Sequence, residues 1–316
     1  MRYALELQIH KNFSRAAEAC FISQPSLSVQ IAKLEDELGM SLFDRSRSSV
    51  QATAYGEILL GQIRLILNEV SRIGEMASDL KNEIQGHFRL GIIPTLAASL
   101  LPRFIGDFGK LYPKVQLSVR EEPTERLIQE IHSGSIDGAI LSTPARTPAS
   151  ILERVLFYEP FVVFASTGHP ILERKFLRAE DISSSEILLL DETHCLRDQV
   201  LHLCRSKQKA SNQKLRIQSG SLQTLVEVIR REQGYTLLPA MALHFLSAIE
   251  KTKNVRHFHK PFPSRKVSLV FHQAHLKRSL IEALRTAIAG SLPSEVFTTQ
   301  SQGFKVLPPG PDHFEI

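Results

Sequence analysis

The sequence lacks any long apolar run and any leader-like start. No stretch approaches the roughly 18 consecutive apolar residues that predict a membrane-spanning helix. The first residues mix charged and apolar side chains, whereas a secretory signal has a basic start followed by an apolar core. We therefore predict no membrane contact and expect a cytoplasmic location.

Cysteine is also scarce. The chain contains 3 cysteines, Cys20, Cys195 and Cys204, which are too few for the disulfide framework of a small secreted domain. Reduced thiols are expected, so any disulfide between them would be a transient, sensing bond. The close spacing of Cys195 and Cys204 makes that pair the one to examine.

The N-terminal part lacks the basic excess that would by itself indicate nucleic-acid binding. The net charge is +5, yet residues 1–53 contain six basic and six acidic side chains. Residues 1–200 carry 21 Lys and Arg against 26 Asp and Glu (−5), and residues 201–290 carry 16 against 4 (+12). A prediction of DNA binding must therefore rest on a motif.

Two helices with a short break are predicted between residues 12 and 38, followed by a short two-stranded wing over residues 42–53. Ser23 suits the N-cap of the second helix, and Pro25 is tolerated in its first turn, where its missing N–H would have no partner. The core face of that helix has apolar residues at helical spacing: Leu27, Ile31, Leu34 and Leu38. These features predict a winged helix-turn-helix over residues 1–58.

A dimerising linker helix is predicted over residues 59–86. Apolar residues recur there with alternating spacings of four and three: Leu59, Ile63, Ile66, Val70, Ile73, Ala77 and Leu80. A stripe of this period favours pairing with an identical helix. The alternative is that the helix packs on its own domain, because the seam is short and contains Gly61 and Gly74.

From residue 87 short apolar strands alternate with helices, which is typical of an α/β domain with a largely parallel sheet. Strands are predicted at residues 88–93, 115–119, 138–141, 161–165, 187–190, 235–238 and 267–271, and helices at 95–111, 125–132, 196–204, 222–231 and 277–289. The regulatory domain is assigned to residues 87–290. Residues 291–316 contain four prolines and no apolar periodicity, so a loose, disordered tail is expected.

Several motifs together resemble the LysR family of bacterial transcription regulators. They are Phe13-Ser14-Arg15-Ala16-Ala17, Ser23-Gln24-Pro25-Ser26-Leu27-Ser28, Lys33-Leu34-Glu35, Leu42-Phe43-Asp44-Arg45, Ile93-Pro94-Thr95 and the run from Gly234 to Pro239. The resemblance implies an α/β protein with an all-α N-terminal part. The implied parts are a winged helix-turn-helix, a linker helix and a periplasmic-binding-protein-like effector domain of two subdomains.

The resemblance also implies what the protein does and where. It implies a transcription regulator and not an enzyme, without cofactor or metal, that binds double-stranded operator DNA as a homodimer and homotetramer. Contact with RNA polymerase and a cytoplasmic, nucleoid-associated location follow from the same resemblance.

In this family the second helix of the DNA-binding domain enters the major groove. The resemblance places Gln24, Pro25 and Ser28 at base edges, with Ser23 at the helix start; glutamine can pair with adenine, and proline offers an apolar contact to thymine. The candidates for phosphate contacts are Arg15, Lys33 and Arg45. For each basic residue alone, a solvated surface side chain is the competing interpretation.

The run from His194 to Gln199, followed by Cys204, resembles the peroxide-sensing members of the family. A thiol reacts with peroxide as its thiolate, so we predict that a helix N-terminus, His194 and Arg197 lower the pKa of Cys195, with Asp198 orienting either one. Oxidation would give a sulfenic acid, and Cys204 is the candidate that condenses with it to a disulfide. The resemblance implies peroxide-dependent control of antioxidant genes and reset by a thiol-reducing system.

The spacing of the two cysteines predicts a conformational switch. In a helix their Cα atoms would be roughly 13 Å apart, whereas a disulfide needs about 4.4 to 6.8 Å, so the helix must unwind before the bond closes. Such refolding would repack a neighbouring dimer surface. Thr193 and Arg205 depart from the family pattern, which has a glycine and an aromatic residue at those positions.

Three more residues match pocket positions of the peroxide-sensing members. Thr95 and Thr124 match residues that line the peroxide pocket together with His194, and Arg265 matches a basic position near it. For the threonines the competing interpretation is helix capping. Cys20, within the helix-turn-helix, is expected to be a small buried apolar residue.

Two other kinds of function stay open. A small organic anion could bind between the two α/β subdomains, which would make Cys195 incidental. Alternatively a metal could bind the histidines and cysteines of this segment, His194, Cys195, His202 and Cys204, or Cys195 could serve a thiol peroxidase. The spacing differs from C-x-x-C and argues against the metal, and a peroxidase leaves the DNA-binding motif unexplained.

Overall fold

The computed structural model describes residues 1–45, 49–79, 84–142, 148–183, 187–204, 220–273, 277–299 and 303–308. It confirms the predicted fold class, because a helical N-terminal unit with a short wing precedes a unit of mixed α/β structure. The N-terminal elements are α1 (Arg2–His10), α2 (Phe13–Ala19), α3 (Gln24–Leu38), β1 (Phe43–Asp44), β2 (Gln51–Ala52) and α4 (Ala54–Asp79).

The helix α3 begins and ends for local reasons. Ser23 is its N-cap and accepts a hydrogen bond from the backbone N–H three residues on, and Pro25 lies in the first turn. Gly39 ends the helix with φ 68°, a left-handed conformation that glycine adopts without steric cost. Leu27 is fully buried, whereas Leu38, predicted for the same face, is 38% exposed because it lies in the last turn.

Helix α4 both packs on its own unit and presents an apolar stripe to solvent. Ile63 is buried in the core of the N-terminal unit, while Ile66, Val70 and Ile73 are 40%, 58% and 70% exposed in the single chain. The predicted seam positions 77 and 80 lie outside the described side chains. In the part of the chain that the structure describes, no helix is long and apolar enough to cross a membrane.

The second unit is built on one mixed sheet. Its elements are β3 (Gly86–Ile92), α5 (Pro94–Leu111), β4 (Val115–Glu121), α6 (Thr124–His132), β5 (Gly138–Ser142), β6 (Ile151–Ala165), β7 (Phe176–Leu177), α7 (Cys195–Leu203), α8 (Leu222–Arg231), β8 (Tyr235–Pro239), α9 (Ala248–Lys253), β9 (Val255–Phe258), β10 (Phe262–His272), α10 (Arg278–Ser291) and β11 (Phe304–Val306). The strand order is β4-β3-β5-β10-β6-β9-β7, with β11 added to β10 and β8 added to β6.

Two long antiparallel strands, β6 and β10, join two subdomains with separate cores. The first subdomain holds parallel β3, β4 and β5; the second holds β7, β8 and β9. Strand β6 begins ten residues before the predicted strand, because its first part carries Glu153 and Arg154 and shows no apolar run. The strand predicted at 187–190 is only an isolated bridge between Ile187 and Tyr235.

The expectation of a loose tail after residue 290 is wrong for residues 303–308. Strand β11 pairs in parallel with β10, and Leu307 is only 3% exposed within the core of the second subdomain. Three residues are too few to show an alternating pattern, and the pairing depends on a partner strand some 40 positions earlier, so the sequence did not reveal it. Residues 309–316 lie outside the described part of the chain.

Candidate functional site

The Cys195 thiol lies where the two subdomain cores meet. Cys195 is the first residue of α7 and packs, half-buried, against the core of the first subdomain, whereas Val200 and Leu203 of the same helix belong to the core of the second. Thr124, which follows the carboxyl end of strand β4, interacts with the thiol. The carboxyl edge of a parallel sheet is where α/β folds commonly bind ligands.

Arg265 is the cation beside this thiol, and it is held from two sides. Its guanidinium donates to the Thr95 Oγ1 at 3.0 Å and to the Thr95 carbonyl oxygen at 3.3 Å. Glu159 accepts from it at 2.8 Å and, through its other oxygen, from the Met241 backbone N–H at 2.7 Å. Glu159 is fully buried and Arg265 is 1% exposed, so the ion pair leaves the guanidinium little freedom.

The structure separates the roles of the two threonines. The N-cap of α5 is Ile93, so Thr95 does not cap that helix; its hydroxyl accepts from Arg265 instead. Thr124 is 6% exposed, and its hydroxyl interacts with the Cys195 thiol and lowers the pKa of that thiol; among the described residues its Oγ1 has no other hydrogen-bond partner. A small polar molecule that forms a hydrogen bond with such a buried hydroxyl stabilises the folded protein, because it supplies a further partner that the protein lacks.

His194 directly precedes Cys195 in the chain and is the N-cap of α7. It is 5% exposed; burial lowers its pKa, while the Asp191 carboxylate, 3.8 Å away, raises it. Thr193 donates its hydroxyl and its backbone N–H to Asp191, which lowers the pKa of that carboxyl. The unusual Thr193 therefore fixes the group that faces His194. Gly220 also lies close, since a Cβ there would be 3.4 Å from the histidine Nε2.

The prediction of an acidic Cys195 is wrong in its direction. Burial raises the pKa of the Cys195 thiol, and the Arg265 charge and the Thr124 hydroxyl lower it without reversing the shift. Arg197 does not act on this thiol, because it donates to the Leu190 carbonyl oxygen at 3.0 Å and pairs with Glu192 at 3.3 Å. The Asp198 carboxylate raises the pKa of Cys195 further.

Cys204 is the C-cap of α7 and sits in apolar surroundings. It is 6% exposed within the core of the second subdomain, and burial alone raises the pKa of its thiol to about 11. Because residues 195–203 are helical, the two thiols lie at opposite ends of α7, and the helix must unwind before they can bond. Cys20 is half-buried and not fully buried, and burial raises its pKa.

Gln199, which lies one helical turn after Cys195, belongs to the family-like run from His194 but was not predicted to have a role in the site. Gln199 is fully buried, and its Nε2 donates to the Ser142 Oγ at 2.9 Å and to the Leu307 carbonyl oxygen at 3.2 Å. Its Oε1 has no hydrogen-bond partner among the described residues. The four-residue spacing, which puts both side chains on one helix face, is the signal that could have found it.

Metal binding finds no support in the part of the chain that the structure describes. No group of three or more histidine, cysteine or acidic residues there could hold a metal ion. His194 and Cys195 lie at the start of α7 and Cys204 at its end, so a helix separates the proposed ligands. His202 lies in the last turn of that helix.

The candidate DNA-reading residues lie on the first turn of α3. Gln24 and Pro25 are exposed and Ser28 is half-buried, with the Gln24 Nε2 donating to the Ser28 Oγ at 3.1 Å. The Ser23 hydroxyl shares a hydrogen bond with Ser26 at 2.7 Å. This first turn is therefore a polar surface that is open in the single chain.

Of the candidate phosphate-contacting residues, Arg15 and Lys33 are exposed. Arg45 is exposed too, but its side chain also makes contacts within the N-terminal unit. It pairs with Glu35 at 2.7 Å and lies over the Phe13 ring. Glu35 also accepts two backbone N–H groups at the start of the wing, so it attaches the wing to α3.

Known families match both units. Residues 1–57 match the bacterial regulatory helix-turn-helix protein of the lysR family, and residues 81–293 match the LysR substrate binding domain. The second match alone covers more than half of the chain. The order of the two matches is the order of the helical and α/β units.

The similar proteins are regulators. Over 290 residues the chain is 35% identical to the DNA-binding transcriptional dual regulator OxyR of Escherichia coli, covering 91% of this chain and 93% of that protein. It is 34% identical over 288 residues to the hydrogen peroxide-inducible genes activator of Dickeya chrysanthemi, covering 91% and 93%.

Solved structures of OxyR proteins are similar in fold to this chain. A full-length OxyR variant from Pseudomonas aeruginosa has a TM-score of 0.78 at 32% identity, with 92% of this chain and 97% of that chain covered. A hydrogen peroxide-bound OxyR variant from Corynebacterium glutamicum has a TM-score of 0.63 at 28% identity, covering 92% and 90%. The chain belongs to the LysR family of DNA-binding transcription regulators, with close homology to the OxyR hydrogen peroxide-inducible activators.

Proposed function

We propose that this chain is a peroxide-responsive transcription regulator in which Cys195 senses and Cys204 resolves. The observation that carries the proposal is the buried Thr124 hydroxyl, which among the described residues has no hydrogen-bond partner other than the Cys195 thiol and, like the Arg265 charge, lowers the pKa of that thiol. Hydrogen peroxide is a small molecule that can both donate and accept hydrogen bonds. The hydrogen peroxide-inducible activators among the similar proteins support the same chemistry.

The proposed reaction has two balanced steps. The Cys195 thiol attacks one peroxide oxygen, the O–O bond breaks, and the thiol proton leaves with the second oxygen as water, giving a sulfenic acid. The Cys204 thiol then attacks the sulfenic sulfur, the S–O bond breaks, and a second water leaves as the disulfide forms. Because burial raises the pKa of Cys195, the resting thiol is protonated, and Arg265 and Thr124 favour the thiolate as it reacts.

The disulfide changes the regulator through α7. Closing the bond requires the helix to unwind, which alters the surface that α7 shares with both cores. The exposed Ile66, Val70 and Ile73 of α4 fit a homodimer seam, and homotetramers follow from the family likeness. Operator DNA, RNA polymerase and a thiol-reducing system that resets the bond are the proposed partners, in the bacterial cytoplasm at the nucleoid.

A small organic anion as effector fits the surroundings of Cys195 less well. An organic anion binds to a guanidinium through its N–H donors, and the Nε, Nη1 and Nη2 of the buried Arg265 are already engaged by Glu159 and Thr95. A neutral ligand such as peroxide does not need those donors.

Mass spectrometry of differentially labelled thiols after a short, substoichiometric peroxide pulse tests the sensing proposal. We expect Cys195 and Cys204 to become linked, and Cys195→Ser to prevent all oxidation of Cys204. Cys20→Ser is the matched control and should leave the linkage unchanged. If Cys195 and Cys204 stay reduced in the unmodified protein, the peroxide proposal fails.

The proposed base contact at Gln24 is tested by binding to a selected operator and to random DNA. Gln24→Ala should weaken operator binding by about 1 to 3 kcal/mol while changing random DNA little. Gln30→Ala, on an exposed position of the same helix, is the control. Equal losses on both DNAs for Gln24→Ala would rule out base reading by this side chain.

A further inference from the structure

The segment after α10 crosses both subdomains. We call residues 292–299 and 303–308 the C-terminal strap. Val296 lies in the core of the first subdomain and Leu307 in the core of the second. Phe297 and Tyr158 of β6 exchange two backbone hydrogen bonds, at 2.7 and 3.0 Å. The family match ends at residue 293, so most of the strap lies beyond it.

The strap is anchored by backbone pairing and by aromatic rings. Strand β11 pairs with β10, and the Leu307 N–H donates to the Ser264 carbonyl oxygen at 2.8 Å. The Phe304 ring lies 4.7 Å from Phe297, 6.0 Å from Phe262 and 6.5 Å from Tyr158, measured between centroids. This cluster fixes β11 against the two long strands that join the subdomains.

The strap reaches the switch helix at one buried point. The Leu307 carbonyl oxygen accepts a hydrogen bond from the Gln199 Nε2, and neither side chain is more than 3% exposed. Gln199 lies between Cys195 and Cys204, within the segment that must leave the helix before a disulfide can close. That movement separates the Gln199 amide from the strap.

We propose that the C-terminal strap is a latch that holds α7 in its helical, reduced form and thereby sets the peroxide threshold of the switch. The inference rests on the proposed function, because it concerns closure of the Cys195–Cys204 bond. Without the strap, unwinding no longer breaks the bond from Gln199 to Leu307. The oxidised form is then favoured, while the first oxidation of Cys195, which precedes unwinding, is not affected.

Two truncations test the latch. A chain ending at Gly303 lacks β11 and Leu307, and the matched control ends at Pro308 and keeps both. We expect the chain ending at Gly303 to close the disulfide about tenfold faster, with a midpoint potential about 30 mV more negative, since tenfold in this equilibrium corresponds to about 30 mV. The control should match the full chain, and sulfenic acid formation in a Cys204→Ser background should be equal in all three.

A full-length variant guards against misfolding of the truncated chain. Phe304→Ser removes one ring of the anchor and should shift the potential in the same direction, by about threefold in the equilibrium. Hydrogen exchange at β11 reports whether the strap has loosened. If exchange there rises while the rate and potential of disulfide closure stay unchanged, the latch is refuted. If Cys195 and Cys204 do not link even in the full chain, the proposed function fails first.

Discussion

The thiols at the two ends of α7, half-buried Cys195 and buried Cys204, have neighbours of different kinds. Cys195 lies between the subdomains beside a charged guanidinium and a hydroxyl, whereas Cys204 lies among apolar side chains of the second core. Burial raises the pKa of both thiols, and only at Cys195 do neighbouring groups oppose the shift. The proposed sensor Cys195 is therefore distinguished by the groups that stabilise its thiolate and not by a low resting pKa.

Removing the Arg265 cation beside Cys195 has the largest expected effect, because it removes a charge that distinguishes the surroundings of Cys195 from those of Cys204. Arg265→Met leaves the fully buried Glu159 carboxylate without its charge partner, which should lower the free energy of unfolding by about 3 to 5 kcal/mol. Peroxide oxidation of Cys195 should slow as well. Urea unfolding and stopped-flow oxidation measure the two effects.

The next residue on β10 is the control for this change. Lys266 pairs with Glu153 at 2.7 Å, but both side chains are about a quarter exposed, so Lys266→Met should cost only about 0 to 1 kcal/mol. An equal loss of unfolding free energy in Arg265→Met and Lys266→Met would mean that the buried ion pair contributes no more to stability than the partly exposed one.

The apolar surroundings of Cys204 predict a loss of stability at alkaline pH. Its pKa is raised from 9.0 to about 11, so the stabilisation is complete below pH 9 and is lost as the pH rises through 11. The full difference is about 2 to 3 kcal/mol. In reducing buffer Cys204→Ala should show a shallower decline of melting temperature between pH 8 and pH 10.5. The same slope in both proteins would contradict the assigned pKa.

A smaller effect is expected from the hydroxyl beside Cys195. Thr124→Val should slow sulfenic acid formation about tenfold, or roughly 1.4 kcal/mol. Stability should fall little, because within the described residues the lost hydroxyl has no hydrogen-bond partner other than the weakly bonding Cys195 thiol. Thr236→Val is the control, and the opposite pattern of effects is expected for it. The buried Thr236 hydroxyl donates to the Leu188 carbonyl oxygen at 2.7 Å, so its loss should reduce stability and spare the rate. A Thr124→Val protein that oxidises at the unmodified rate would remove this residue from the site.

The N-terminal unit was largely predictable because its features are local. The start of α3 at Ser23, its end at Gly39 and the wing after it depend on residues only a few positions apart. The same holds for strands β3, β4 and β5, whose apolar runs alternate with helices. Strand β6 was underestimated because its first half is stabilised by pairing with β10 across more than 100 positions.

The candidate site was only partly predictable. The likeness to a family selected Thr95, Thr124 and Arg265, and the structure brings Arg265 to Thr95 and places both Thr124 and Arg265 by the thiol. The likeness to a family could not select Glu159, which lies 106 positions from Arg265 and belongs to no motif. Sequence proximity also misassigned Arg197, whose guanidinium points to Leu190 and Glu192.

The family, the order of units and most helix ends followed from the sequence, because caps, turns and apolar periods act over a few residues. The acidity of Cys195, the Glu159 support of Arg265 and the contact of the strap with Gln199 depend on the folded chain. Desolvation and long-range pairing depend on which distant segments exclude water from a group. Those segments become neighbours only when the chain has folded.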